Sequence, residues 1–155
     1  IKEKVNLPIL RKDFIFDPIQ VAETRVLGGD AILLIKAILS SAQLSELLQF
    51  SHQLGLDCLV EVHNQQEVLD ISEIEGIKMV GINNRNLHDF STSLSTCFDL
   101  KPLIIEKMGA DITVIAESGF STASEMRQLE DAGFNGVLIG EGLAKNPDLI
   151  YHFNS

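Results

Sequence analysis

The residues Gly28-Gly29-Asp30-Ala31-Ile32-Leu33-Leu34-Ile35 indicate the fold class, because their pattern is typical of the junction between the end of a helix and a buried strand. A glycine suits the left-handed position that terminates a helix, and an uninterrupted apolar run is typical of a parallel strand buried on both faces. The pattern is a glycine, any residue, a polar residue, any residue and then an apolar run. It recurs from Gly55, Gly76, Gly109 and Gly133. Each copy predicts a helix-to-strand turn.

The apolar runs after these turns predict the strands. They cover residues 32–35, 59–62, 79–82, 113–116 and 137–139, and Pro8-Ile9-Leu10 is a further candidate near the start. About six strands therefore recur at separations of roughly 20 to 35 residues, which is the length of a βα unit.

The segments between the predicted strands have the features of amphipathic helices. Asp17-Pro18 places a capping carboxylate before a proline at the first helical position. Thr122 followed by Glu125 forms a capping box, and Asn64 followed by Glu67 is a looser version of it. The apolar positions that share a helix face are Leu44, Leu47, Leu48 and Leu54, and then Met126, Leu129 and Ala132. We expect these helices to cover a parallel sheet.

Strict alternation of strand and helix is compatible with two α/β architectures, an open doubly wound sheet and a closed (β/α)₈ barrel. The repeats alone do not choose between them. Six strands match the open sheet at face value, whereas a closed barrel needs about 250 residues and so about two further units. The 155 residues, 45% of them hydrophobic, provide for one packed core, so we expect a single domain over residues 1–155.

Charge and composition exclude several classes of function. The net charge of −10 argues against a nucleic-acid or anionic-membrane surface, because both need clustered Lys and Arg. Backbone N–H groups can still bind one small phosphate. His52, His88 and His152 lack mutual metal-ligand spacing, so no metal is expected. The two cysteines, Cys58 and Cys97, are too few for a disulfide-stabilised scaffold, which favours a reduced cytoplasmic setting.

Ligands bind at the C-terminal ends of the strands in either architecture, so the polar residues there are the informative ones. Glu61 interrupts the apolar run 58–62, and an unpaired buried carboxylate is costly enough to need a partner or a task. Lys12 follows the first predicted strand, where an ordinary solvated lysine would serve equally well. His63 is typical of a capping or surface histidine, and we do not count it as catalytic.

Three further strand ends carry polar residues and glycines. Asn83 and Asn84 suit structural amide turns, whereas Arg85 at a pocket rim suits bidentate binding of carboxylate or phosphate. The loops Glu117-Ser118-Gly119 and Gly140-Glu141-Gly142 place glycines directly after consecutive strands. Barrel enzymes commonly bind phosphate through such loops, although ordinary glycine turns are the alternative.

Five of these motifs, taken in order, resemble the strand-end motifs of the indole-3-glycerol phosphate synthase family. They are Leu10-Arg11-Lys12-Asp13-Phe14, Leu59-Val60-Glu61-Val62-His63, Gly81-Ile82-Asn83-Asn84-Arg85-Asn86-Leu87, Ala116-Glu117-Ser118-Gly119 and Leu138-Ile139-Gly140-Glu141. The resemblance extends over essentially the whole chain. It implies strands three to eight of a TIM barrel, present as a partial barrel of about six βα units.

The resemblance also implies an activity. The family is a carboxy-lyase of tryptophan biosynthesis that converts 1-(2-carboxyphenylamino)-1-deoxyribulose 5-phosphate to indole-3-glycerol phosphate, with loss of CO₂ and water and without a cofactor. We therefore expect a cytoplasmic enzyme, monomeric at full length, that acts on a small phosphorylated substrate and has no nucleic-acid or membrane partner. The family's first two βα units supply another Glu, a Lys and a Ser-containing loop to the site, so we expect this segment to be inactive alone.

Roles for individual residues follow from the same resemblance. Lys12 would be the general acid, Glu61 the general base, and Asn83 a third catalytic residue that holds polar groups of the substrate together with Arg85. Phe14 would pack against the anthranilate ring. Ser118 would lie near Asn83 and Arg85 as a further substrate-binding residue, and the amides of Gly119, Gly140 and Glu141 would hold the phosphate. Gly142 departs from the family pattern, because many members carry Ser there.

Two alternatives remain at this stage. One is another phosphate-binding TIM-barrel enzyme, such as a phosphoribosylanthranilate isomerase or a tryptophan synthase α-type lyase, and the pairing of Lys12 with Glu61 argues against it. The other is a non-catalytic ligand-binding domain with an open sheet. It predicts that replacing Lys12 or Glu61 leaves ligand binding unchanged.

Overall fold

A computed structural model describes residues 2–86 and 91–151, and its strands form one six-stranded sheet. The strands are β1 (Leu10–Arg11), β2 (Ala31–Ile35), β3 (Asp57–Val62), β4 (Met79–Asn83), β5 (Thr113–Glu117) and β6 (Gly136–Leu138). The α-helices are α1 (Pro18–Val26), α2 (Ser41–Gln53), α3 (Gln65–Ser72), α4 (Ser95–Met108), α5 (Ala123–Asp131) and α6 (Glu141–Lys145). Short 3-10 helices cover Lys2–Lys4, Lys36–Ile38 and Pro147–Tyr151. Leu87, His88 and His152 lie outside the described residues.

The sheet is parallel throughout, and its strands lie side by side in chain order from β1 to β6. A doubly wound sheet reverses its strand order at a switch point. The described strands contain no such reversal, so the sheet winds in one direction only. This order is that of a (β/α)₈ barrel and excludes the open doubly wound alternative.

The two faces of the sheet bury different partners. Alternate strand residues, among them Ile32, Val60 and Val114, pack in one large core with apolar side chains of the helices. The other face carries a smaller cluster of Leu33, Ile35 and Leu59, to which only strand residues contribute. The helices thus cover one face, and side chains of the strands fill the other. That division is expected of a barrel wall, whose interior is packed by its own strands.

The turns and helix caps of the structure match those predicted from the sequence. The glycines of the five repeats all have positive φ, between 71° and 93°, which confirms the five helix-to-strand turns. Asp17, Asn64 and Thr122 are the N-caps of α1, α3 and α5, and their side chains accept backbone N–H groups of the first turn. These bonds satisfy donors that a helix leaves free at its start.

The strand prediction at the start of the chain was partly wrong. Residues 8–10 were predicted, whereas β1 is only Leu10–Arg11, because Pro8 has no N–H to donate to a neighbouring strand. Ile9 is nevertheless tied to the second strand, since its N–H donates to Asp30 Oδ2 at 2.7 Å and its carbonyl accepts from the Ala31 N–H at 3.1 Å.

The helix faces match the predicted periodicity at all but one position. Leu44, Leu47 and Leu48 are buried on α2, as are Met126 and Leu129 on α5. Leu54 is partly buried against the same core. Ala132, predicted on the buried face, is exposed because α5 ends at Asp131. Among the described residues, no helix has the length and apolar content needed to cross a bilayer.

Candidate active site

Three buried polar side chains lie at the C-terminal ends of adjacent strands. Glu61 on β3, Asn83 on β4 and Glu117 on β5 are 1%, 7% and 0% exposed. Side chains two residues apart on a strand share a face, so Glu61 lies on the same side of the sheet as Leu59. Leu59 belongs to the cluster that only strands form. The polar residues therefore face the inside of the partial barrel, at the end where barrel enzymes bind ligands.

Glu61 and Glu117 lie close enough to share a proton. The Oε2 of Glu61 and both oxygens of Glu117 are buried without a donor among the described residues when both groups are ionised. Burial, reinforced by the charge of Glu61, raises the pKa of Glu117 to about 8. The carboxyl of Glu117 is therefore protonated at neutral pH, and its O–H is the donor that Glu61 lacks.

Glu61 is the ionised member of the pair. Burial opposes its charged form, but the polar neighbours His63, Glu117 and Asn83, together with the positive charge of His63, outweigh burial and lower the pKa of Glu61 below its ordinary value. Two adjacent carboxyl groups in different environments take opposite protonation states, which is an arrangement suited to acid and base chemistry at one pH.

Gly81 on β4 makes room for this pair. It is paired in register with Glu61 on one side and with Ile115 on the other. A Cβ added to Gly81 would overlap Oε1 of Glu117 and would lie 3.0 Å from its Cδ atom. The absence of a side chain at this position therefore lets the Glu117 carboxyl reach across β4 toward Glu61.

His63 lies between two carboxylates just beyond β3. Its Nε2 is 3.2 Å from Oε1 of Glu61, and its Nδ1 is 3.2 Å from Oε2 of Glu67. Burial of the ring disfavours its charged form, but the two carboxylates outweigh burial and raise the pKa of His63 to about 9. The ring is thus an imidazolium at neutral pH. The expected capping or surface histidine is instead a largely buried cation beside Glu61.

Lys12 borders a cavity of about 610 Å³, whose lining does not include the buried carboxyls of Glu61 and Glu117. Its side chain is exposed, and its charge acts on Glu117, where it lowers the pKa against the larger effect of burial. The other predicted site residues on this cavity are Arg85, Ser118, Gly119, Gly140 and Glu141. The structure thus brings six residues predicted from the sequence to one cavity.

The two glycine loops beside this cavity are packed against each other. A Cβ added to Gly142 would overlap the backbone carbonyl oxygen of Phe120, so the glycine allows the start of α6 to touch the loop after β5. Ser118 has φ 65°, and it is the one non-glycine residue with positive φ in the described ranges. A serine in this conformation is strained, and such strain is concentrated at functional sites.

Arg85 links that cavity to a second one of about 290 Å³. The second cavity is also bordered by His63, Glu67 and Asn83. The Arg85 guanidinium lies 3.6 Å from the Glu141 carboxylate, and its backbone N–H donates to Oδ1 of Asn83 at 3.0 Å. Asn83 is therefore oriented from the loop that carries Arg85.

Phe14 lies apart from the other predicted site residues, whereas Asn84 has its expected structural role. Phe14 is 58% exposed and borders neither cavity. Asn84 has the structural role that an amide turn implies: its side chain donates to the Ser118 carbonyl at 3.1 Å and accepts the Cys97 N–H at 3.0 Å. It ties the loop after β4 to the loop after β5 and to α4.

The sequence analysis gave neither Glu117 nor His63 a catalytic role. Glu117 directly follows the apolar run 113–116, and Glu61 interrupts the apolar run 58–62. The argument that a buried carboxylate needs a partner or a task could therefore have identified Glu117 as well. His63 lies two residues after Glu61, which in an extended chain places both side chains on one face. Within residues 2–86 and 91–151, no group of three or more His, Cys, Asp or Glu side chains is placed to hold a metal ion.

Comparison with known proteins identifies the family. The family model for indole-3-glycerol phosphate synthase matches residues 1–154. A synthase of that name from Chlorobium luteolum is 48% identical over 149 residues, which are 96% of this chain and 55% of that protein. Another from Dehalococcoides mccartyi is 47% identical over 144 residues, 93% of this chain and 54% of that protein. The chain thus spans about 55% of the length of these relatives.

Solved structures agree on the fold. A chain of the tryptophan synthase complex from Pyrococcus furiosus superposes with a TM-score of 0.69 at 16% identity, covering 98% of this chain and 66% of that one. A mandelate oxidase superposes with a TM-score of 0.68 at 11% identity, covering 90% of this chain and 50% of that one. At such low identity these matches support the partial TIM barrel alone. With a family model that covers nearly the whole sequence and relatives nearly half identical to it, the chain belongs to the indole-3-glycerol phosphate synthase family.

Proposed function

We propose that the full-length protein containing this chain is an indole-3-glycerol phosphate synthase. It would convert 1-(2-carboxyphenylamino)-1-deoxyribulose 5-phosphate to indole-3-glycerol phosphate, with loss of CO₂ and water and without a cofactor. The observation that carries the proposal is the buried carboxyl pair of Glu61 and Glu117, one ionised and one protonated, together with a cavity bordered by Lys12 and by the two glycine loops, one of which directly follows Glu117.

Lys12 is the proposed general acid. The reaction begins when an aromatic carbon attacks the substrate's ketone carbon, and the ketone oxygen must gain a proton as the new bond forms. An ammonium at the cavity can donate that proton and stabilise the developing negative charge. The exposure of Lys12 toward the cavity supports this role, as does its influence on the charge of Glu117.

Glu61 is the proposed general base. After ring closure and loss of CO₂, a proton must be removed so that loss of water completes the indole ring. A base has to be ionised before it can accept that proton, and the low pKa of Glu61 satisfies the requirement. Asn83, buried beside Glu61, is proposed to hold a polar group of the substrate during these steps.

The substrate phosphate is proposed to bind between the two glycine loops. Its partners would be the amides of Gly119, Gly140 and Glu141 with the hydroxyl of Ser118, because loop amides hold an anion whatever the net charge of the protein. The positions of these residues on the same cavity as Lys12 support the assignment. Arg85 would bind a further anionic or polar group.

Phe14 is proposed to pack against the anthranilate ring. An aromatic side chain that is 58% exposed near the end of β1 has apolar surface available for a ligand to cover. We further propose that residues 1–155 form one domain equivalent to strands three to eight of the family barrel. The full-length protein would act as a cytoplasmic monomer on a small phosphorylated substrate, and the net charge of −10 speaks against a nucleic-acid partner.

The proposal is tested with the Glu61→Gln and Lys12→Ala variants of the full-length protein. Each should lower the turnover of the deoxyribulose phosphate substrate by roughly 10²–10⁴-fold, the usual contribution of a general acid or base. Substrate binding, measured by calorimetry, should change little for Glu61→Gln because the amide keeps the shape of the side chain. Glu106→Gln and Lys107→Ala make matched changes on the exposed surface of α4 and should leave turnover unchanged.

Different results would remove different parts of the proposal. Near-normal turnover by Glu61→Gln would exclude Glu61 as the base. A retained rate in Lys12→Ala would place the acid elsewhere in the protein. No turnover of this substrate by the unmodified full-length protein would reject the proposed activity itself.

A further inference from the structure

The His63 ring is held rigidly from the side away from Glu61. The Glu67 carboxylate accepts the His63 backbone N–H at 2.8 Å through Oε2, the same oxygen that lies 3.2 Å from the ring Nδ1. Its other oxygen accepts from Asn64 Nδ2 at 2.7 Å, and the Glu67 N–H donates to Asn64 Oδ1 at 3.0 Å. The start of α3 thus clamps the carboxylate that orients the ring.

This clamp places the opposite ring nitrogen beside the proposed base, in a close ion-pair contact that does not have hydrogen-bond geometry. The Nε2 atom lies 3.2 Å from Oε1 of Glu61, and the His63 side chain is only 10% exposed, so solvent screens the contact weakly. A ring that lies between two carboxylates is most stable with a proton on each nitrogen. The pair then consists of a fixed cation and the Glu61 carboxylate.

The cation acts on one member of the carboxyl pair more directly than on the other. Glu61 contacts His63 on one side and the carboxyl of Glu117 on the other. A positive charge in contact with Glu61 favours ionisation of Glu61, and the ionised Glu61 in turn disfavours ionisation of Glu117. The charge of His63, which is not a member of the carboxyl pair, therefore favours the shared proton on Glu117.

We propose that His63 is a positioning residue: held by Glu67, it keeps the Glu61 carboxylate ionised, and it leaves the shared proton on Glu117. The role is distinct from the general base itself, because His63 acts through Glu61 rather than on the substrate. The inference deepens the proposed function and, in its kinetic consequences, rests on it.

Charged groups from the neighbouring elements also affect which of Glu61 and Glu117 is protonated. Lys12 follows β1 and opposes the effect of burial on Glu117, and Lys36 follows β2 but is engaged by Asp70 on α3 at 3.1 Å. Arg85 follows β4 and borders the same cavity as His63. His63 is the cation that contacts Glu61 among the described residues, which is why its removal should have the largest effect.

The test compares His63→Gln, Glu67→Gln and His52→Gln in the full-length protein. Gln at position 63 keeps a neutral donor near Glu61 but removes the charge. Glu67→Gln leaves the ring in place and removes the carboxylate that holds it. This variant provides a second test of the proposal if His63→Gln folds poorly. His52→Gln makes the same chemical change on an exposed residue of α2 and is the matched control.

Two measurements follow the charge on Glu61. Side-chain carboxyls labelled with ¹³C are titrated by NMR, and Glu61→Gln and Glu117→Gln identify the two resonances. We expect His63→Gln to move the Glu61 titration upward by about one pH unit or more, and Glu67→Gln to move it in the same direction by less. The acid limb of the pH profile of kcat should shift upward with it by the same amount, so that kcat is lowered by up to roughly 10-fold on the acid side of the limb, while kcat at pH 7 changes little and KM changes less than about threefold.

The outcomes separate this inference from the proposed function. If the Glu61 titration is the same in the wild type, His63→Gln and Glu67→Gln, His63 does not set the charge of Glu61 and the inference is overturned. A lower melting temperature with an unmoved acid limb would also overturn it, because a merely structural role predicts that result. If the unmodified protein converts no substrate while the NMR titration shifts as expected, the proposed function fails and the inference about His63 stands.

Discussion

Replacing Glu117 with Gln should remove a specific pH dependence of stability. The Glu117 carboxyl is fully buried and faces another carboxyl, and its pKa is about 8 in the folded protein against an ordinary value of 4.5. Gln has the same shape and carries a permanent N–H donor. The variant therefore keeps a hydrogen bond to Glu61 and cannot titrate.

The sign and size follow from proton linkage. Between pH 4.5 and about 8 the folded protein keeps a proton on Glu117 that the unfolded chain has released. A group with a raised pKa contributes stability that is complete below pH 4.5 and is lost as pH rises toward 8. One such proton changes the free energy of unfolding by at most about 1.4 kcal/mol per pH unit, or about 2–3 kcal/mol between pH 5.5 and 7.5.

The assay is urea denaturation followed by circular dichroism, with the wild type and Glu117→Gln compared at half-unit steps from pH 5.5 to 7.5. The difference in unfolding free energy should move in favour of the variant by about 2–3 kcal/mol across this range. His63, whose raised pKa of about 9 contributes stability that is lost from pH 6.5 upward, titrates in both proteins and largely cancels from the difference.

A matched control isolates the buried position. Glu106→Gln makes the same change on an exposed side chain of α4. Its plot of unfolding free energy against pH should run parallel to that of the wild type. If Glu117→Gln also runs parallel to the wild type, within about 0.5 kcal/mol, then Glu117 is ionised in the folded protein at neutral pH. The account of a proton-sharing pair would then be refuted.

Two further substitutions test the packing and the caps. Gly81→Ala should lower the free energy of unfolding by about 1–3 kcal/mol and reduce turnover, because its Cβ would overlap the Glu117 carboxyl; a variant as stable and active as the wild type would show that Glu117 can relocate freely. Thr122→Ala removes the side chain that accepts the Glu125 N–H at the start of α5 and should cost about 1 kcal/mol in urea denaturation. Thr122→Ser, which keeps the hydroxyl, should lower the free energy of unfolding far less. An equal decrease in both variants would contradict the role of the cap.

Local features of the fold could be predicted from the sequence because each depends on a few neighbouring residues. The positive φ angles at Gly28 and Gly133 and the capping box at Thr122 arise within about four residues of chain. Strand β1 is the exception, because a strand this short is defined by its partner: Leu10 pairs with Ala31 across the sheet. A pattern of apolar residues alone does not contain that information.

The candidate site could be predicted in part. Glu61 stands out because it interrupts an apolar run, and the glycine loops stand out by their place after consecutive strands. Glu117 has the same kind of setting as Glu61, but its proximity to Glu61 depends on β4 lying between their strands with a glycine at the crossing point. His63 could be placed on the face of Glu61, yet its charge follows only from the second carboxylate that α3 supplies.

The residues alone indicate the alternation of helices and strands, the ends of the helices and the strand ends that carry polar groups. These properties follow from backbone conformations and hydrogen bonds that act between near neighbours along the chain. The order of the strands, the position of the helices on one face and the electrostatic unit of Glu61, Glu117 and His63 become evident only in the folded chain. The physical reason is that parallel register and burial bring together residues far apart in sequence, and the charge of a buried group is set by those neighbours.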